Sequence, residues 1–144
     1  MEVEPAAATP PPAPDYDELV RVIQLYIDGF NESDITKFQE CFHEDARITF
    51  TDAEGDLHSW LLSECFEEWS QPWEGVPGDE FVLRVLSVTQ AGDVACVVLE
   101  MYEPNDRSNC WVDIHSLLRI DGTWKDMNKT ATHGTRADWA GAHA

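Results

Sequence analysis

Trp111-Val-Asp-Ile-His-Ser-Leu-Leu-Arg-Ile-Asp-Gly-Thr-Trp-Lys-Asp-Met-Asn-Lys-Thr-Ala-Thr-His133 decides the fold, because two alternating β runs flank one Asp-Gly turn. Asp121-Gly122 supplies the positive-φ residues of a tight hairpin, and the β-branched and aromatic residues on both sides suit pleated, half-buried strands. Such a hairpin, closing a chain that begins with helical periodicity, predicts the α+β class.

Working back from it, Pro104 to Ser108 and Ala91-Gly92-Asp93 are turns that separate further strands at Asn109 to Ile120, Val94 to Glu103 and Phe81 to Gln90. At the other end, Tyr16, Leu19, Val20, Ile23, Tyr26, Ile27 and Phe30 recur at spacings of three and four, which predicts an amphipathic helix. Asp15 or Asp17 can cap it, and Ser33 or Asp34 can cap a second short helix carrying Ile35, Phe38 and Phe42. A weakly alternating strand, Arg47 to Thr51, precedes the polar turn Asp52 to Asp56. A third helix is expected from Leu57 to about Ser70, apolar over a wide arc and stopped by Pro72.

The 144 residues make one domain. Residues 1–14 are Pro/Ala-rich without periodicity and are expected to be a disordered tail; residues 15–139 form the single domain, and 140–144 a flexible C-terminus. No stretch is an export signal or a membrane span, so a cytoplasmic protein with no membrane association is expected. The 28 acidic residues against 9 Lys and Arg give a formal charge of −19, which repels phosphate backbones and argues against nucleic-acid binding. So large an acidic excess also suits a salt-rich cell interior, where self-repulsion is screened. Cys41, Cys65, Cys96 and Cys110 are dispersed in apolar contexts, as reduced core thiols would be, and the five histidines lack ligand spacing. No metal and no cofactor are expected.

Tyr26-Ile-Asp-Gly-Phe-Asn-Glu-Ser-Asp34, Cys41-Phe-His-Glu-Asp-Ala46, Ser116-Leu-Leu-Arg-Ile-Asp-Gly-Thr-Trp-Lys125 and Asn128-Lys129, in this order, resemble the nuclear-transport-factor-2-like superfamily. Within it the chain looks closest to the SnoaL-like and lumazine-binding branch. The resemblance covers Asp15 to His133. It implies a cone, in which a curved mixed or antiparallel sheet wraps around N-terminal helices and encloses one pocket, with a homodimer through the outer sheet face. Members include ketosteroid isomerase, polyketide cyclases, dehydratases and non-catalytic binding domains, so the fold does not settle function. Tyr26 falls where the isomerase has its oxyanion-hole tyrosine. Phe50 falls at the position of its general base, however, and Ser116 at that of its protonated aspartic acid. Isomerase chemistry in its known form is therefore not expected.

On the strand Asn109 to Ile120 the even set is nearly all apolar and is expected to line the interior. Trp111, Asp113, His115, Leu117 and Arg119 then face outward, where a dimer partner covers them. On the last strand Trp124, Asp126, Asn128, Thr130 and Thr132 share one face. The resemblance implies an inward aliphatic where this chain has Asp126. This carboxylate is either a pocket group with a raised pKa, fit for a general base or ligand anchor, or a solvated residue near the strand end. Two functions remain open. One is a small-molecule-binding domain, with or without isomerase, cyclase or dehydratase chemistry on a cyclic or apolar substrate. Asp126 would be its base, Tyr26 its oxyanion donor, and Asn128 and Ser116 its orienting groups; Trp60, Phe50, Trp69, Phe66 and Trp73 would form an aromatic wall. The other is a non-catalytic homodimeric module with its pocket filled by side chains.

Overall fold

A computed structural model describes residues 1–6, 9, 11–71 and 80–134. Pro72, Trp73, the Pro77-Gly78 break and the segment containing Trp139 and 140–144 lie outside the described residues.

Three helices and six strands follow in the order α1 (Tyr16–Glu32), α2 (Ile35–Cys41), β1 (Phe42–Thr51), β2 (Leu57–Leu61), α3 (Leu62–Trp69), β3 (Val82–Ala91), β4 (Val94–Glu103), β5 (Asp106–Ile120) and β6 (Thr123–Gly134). Strand order in the curved sheet is β2-β1-β6-β5-β4-β3. The β1–β6 pairing is parallel and the others are antiparallel, so the sheet is mixed. Helix α1 buries Leu19, Val22, Ile23, Tyr26 and Ile27, one face of the predicted helix, in the core cluster shared with the sheet.

Capping resolves partly as expected. The Asp34 carboxylate accepts the Thr36 N–H at 2.9 Å and starts α2. Asp15 occupies the cap position of α1, but its side chain makes no cap bond. Its Oδ2 instead accepts from Arg119 Nη1 at 2.6 Å, Trp124 Nε1 at 3.0 Å and Gln90 Nε2 at 3.1 Å, which pins the start of α1 to three strands.

The expected helix from Leu57 to Ser70 is split. Leu57–Leu61 pairs antiparallel with β1, and the helix begins only at Leu62. The Asp52 carboxylate explains the reversal: it accepts the N–H groups of Glu54 and Asp56, and the Asp52 N–H donates to the Asp56 carbonyl, closing a tight turn that sends the chain back along β1. Phe42 likewise opens β1 rather than closing α2.

Candidate functional site

The face assignment expected for β5 is inverted. Asp113, His115 and Leu117 are fully buried toward the helices, while Ile114, Leu118 and Ile120 are exposed on the opposite face, Ile114 at 45 %. The interior accepts the polar set because its charges meet one another. The imidazole of His115 lies between two carboxylates, Nδ1 at 2.5 Å from Asp126 Oδ2 and Nε2 at 3.1 Å from Asp113 Oδ2. Tyr26 Oη donates to the same Asp113 oxygen at 3.1 Å, and the Tyr26 ring packs edge-on against the imidazole. Lys129 Nζ sits 3.9 Å from Asp113 Oδ2.

Register brings these groups together. Leu117 pairs with Asp126, and Ser116 with Asn128, so Met127 is left over as a bulge in β6. Trp124 and Asp126 face inward before the bulge, and Lys129 and Ala131 after it. The single alternation expected for β6 therefore fails at Asn128. Asn128 and Ser116 are cross-strand partners on the outer face with Thr130, not orienting groups inside.

Burial and charge act in opposite directions on the cluster. Desolvation alone would lower the His115 pKa, but the charge of Asp126 and the hydrogen bonds that the ring donates to both carboxylates raise it to about 9, so the ring is an imidazolium at neutral pH. Burial raises the Asp113 pKa, but Lys129, His115 and Tyr26 outweigh it and hold the carboxyl below its ordinary value. For Asp126 burial outweighs the attraction of His115 and the value is raised. Burial, helped by the charge of Asp113, keeps the Tyr26 phenol protonated well above its usual range.

Over this cluster lies a cavity of about 610 Å³. Its walls are aromatic: Phe30, Phe50, Trp60, Trp69, Phe81 and Trp111, with Met101. Glu68, Gln71 and Lys129 are the polar side chains of the lining. Lys129 is 6 % exposed, and its ammonium stands 4.9, 5.7 and 5.4 Å from the ring centres of Tyr26, Phe30 and Trp69.

Of the residues singled out by sequence, Phe50, Trp60 and Trp69 line the cavity, while Phe66 packs against the core beside it. Tyr26 and Asp126 are brought together through His115 but lie beneath the lining rather than in it. Trp111 and Leu117, expected at a dimer interface, belong to the cavity wall and the core. His115 and Asp113, read as an outward pair, are the centre of the buried cluster. Lys129, Phe30, Phe81 and Met101 were not anticipated in the site. For Lys129 no local signal existed, since the bulge that turns it inward leaves no mark in the alternation.

A curved six-stranded sheet with helices against one face and a cavity between them is the nuclear-transport-factor-2-like architecture. The model of the family described as "Putative lumazine-binding" matches residues 14–131, and the chain belongs to that family. Among solved structures it is similar to a nuclear-transport-factor-2-like protein of unknown function from Shewanella baltica, with 20 % identity, a TM-score of 0.69, and 81 % of this chain and 91 % of that one covered. A protein of the same description from Methylobacillus flagellatus is 23 % identical at a TM-score of 0.66, covering 82 % and 90 %. A ketosteroid isomerase-like protein from Erwinia carotovora atroseptica is 13 % identical at 0.58, covering 83 % and 95 %. At these identities the likeness is one of fold. No curated protein matches the chain. Among the described residues, no helix is long and apolar enough to cross a membrane.

Proposed function

We propose that this domain binds a small, flat, largely apolar organic molecule in the aromatic cavity. The observation that carries this reading is the cavity itself: about 610 Å³ walled by six aromatic side chains, within the ordinary range for small-molecule sites. An open space of that size speaks against the alternative of a module whose pocket is filled by its own side chains. The lumazine of the family's description is a flat bicyclic ring, and a ring of that kind suits such walls.

The acid–base chemistry expected from the sequence has less support. A general base must reach the proton it takes, and Asp126 and Tyr26, fully buried, do not line the cavity. Their support is for a positioning role: with His115 and Asp113 they hold the wall from which Lys129 projects. Calorimetric titration with lumazine and a panel of fused-ring compounds tests the binding reading. At least one saturable interaction is expected, weakened about tenfold or more by Trp111→Ala, which removes a wall. Heat signals that never saturate up to millimolar concentration across the panel would sink the reading.

The same proposal includes a homodimer through the outer sheet face, now on different residues. Ile114, Leu118, Ile120 and Val94 are exposed there and form an apolar strip across β4 and β5. Sedimentation at micromolar concentration is expected to give twice the chain mass, and Ile114→Glu with Leu118→Glu to give the chain mass; a monomer in the unsubstituted protein would remove the interface.

A further inference from the structure

We propose that the cavity selects an aromatic acid, bound as its anion, and that Lys129 is the residue that recognises the acidic oxygen. The inference rests on the cavity being a ligand site and adds the chemistry of the ligand's polar end.

Lys129 is the cation of the lining among the described residues, and it makes no hydrogen bond there; its closest carboxylate oxygen, on Asp113 at 3.9 Å, is beyond hydrogen-bond reach. An ammonium has three N–H donors and no acceptor, and this one is 6 % exposed among aromatic faces. Ring faces stabilise the charge, and the ammonium, which lines the cavity, keeps its donors for an acceptor there. Lys129 does not reach Asp113 for a hydrogen bond: Oδ2, 3.9 Å away, already receives Tyr26 and His115, and Oδ1 has no hydrogen-bond partner. A ligand oxygen is the group that completes Lys129.

Lys129 decides between a neutral carbonyl and an anion: it is the cation of the lining among the described residues, its ammonium opens onto the cavity, and its hydrogen bond to an anionic oxygen is stronger than to a neutral one. Glu68, the carboxylate of the lining, lies on the exposed side of α3. A ligand therefore enters with its acid end toward Lys129 and its ring between Trp69, Trp60, Phe50 and Trp111.

The test compares 2-naphthoate with 2-naphthamide, which share shape and differ in charge, by isothermal titration at pH 7.5. Naphthoate is expected to bind about tenfold or more tightly than the amide, the difference a charge-assisted hydrogen bond makes. Lys129→Met should erase that preference while leaving the amide bound, and Lys129→Arg should keep part of it, with thermal melts confirming that both variants fold. Equal or tighter binding of the amide overturns the acid preference while leaving the cavity a ligand site. If neither probe binds to the unsubstituted protein, this inference fails, while saturable binding of lumazine or another fused-ring compound decides the cavity reading separately. A naphthoate preference that survives in Lys129→Met overturns the assignment of Lys129.

Discussion

Within the buried cluster, the residue that governs pH behaviour is His115. Its pKa is raised by Asp126 and Asp113 to about 9, against an ordinary 6.5. Folding therefore binds a proton more tightly than the unfolded chain does, and the stability this contributes is present in full below about pH 6.5 and lost as the pH rises through about 9. Asp126, also raised, acts in the same sense at lower pH; Asp113, held low, acts in the opposite sense and loses its contribution in acid. Urea unfolding is expected to show stability falling by about 2–3 kcal/mol between pH 7 and pH 10, and His115→Gln to flatten that slope. A level profile in the unsubstituted protein would mean that the imidazole is neutral in its carboxylate clamp. The sequence left Asp126 open between an inward carboxylate and a solvated residue near the strand end, and the structure buries it fully. Its partner was not legible, because His115 and Asp113 stand on a strand whose alternate apolar residues pointed to the opposite assignment.

Among the elements, the contact between α1 and α2 gives the most direct test. Gly29 weakens α1 by helix propensity, and replacing it with alanine in an exposed helix would gain about 1 kcal/mol. Here, however, an added Cβ would lie 2.8 Å from Phe38 Cε1 and 3.0 Å from two further ring carbons. The Phe38 ring is fully buried and hemmed by Phe30 and Trp69 with ring centres at 5.2 and 5.0 Å, so it has little room to yield. Overpacking of about 1–3 kcal/mol outweighs the propensity gain. Gly29→Ala should lower the melting temperature by a few degrees, and a rise would show that the ring relaxes. The other elements teach the same priority of contact over local preference. Leu57, Trp60 and Leu61 fit a helical arc with Leu62 and Cys65, yet the open edge of β1 takes Leu57–Leu61 as a strand.

For the molecule as a whole, charge and topology set the terms. A formal charge of −19 on 144 residues means self-repulsion that dissolved salt screens, the Debye length falling to about 3 Å at 1 M. Raising salt from about 0.05 M to about 1 M should therefore raise the melting temperature by roughly 5 °C or more; an unchanged value would show that the surface charges are already dispersed enough not to matter. The strand-rich, helix-first order and the Asp121-Gly122 hairpin were determined by the sequence, because turn chemistry and hydrophobic period are local properties: Asp121 and Gly122 do have positive φ, and β5 and β6 pair across them. Of the cavity's aromatic residues, Trp60 and Trp69 were legible as members of an apolar face and Phe50 through the family resemblance. Only the tertiary structure decided which face of β5 is the inner one. Period two divides a strand into two sets but cannot say which is buried when the polar set finds its counter-charges on other elements: Tyr26 on α1, and Asp126 and Lys129 on β6. One unpaired residue, Met127, then brings Lys129 inside, and that register is fixed by pairing with β1 and β5 rather than by anything within β6 itself.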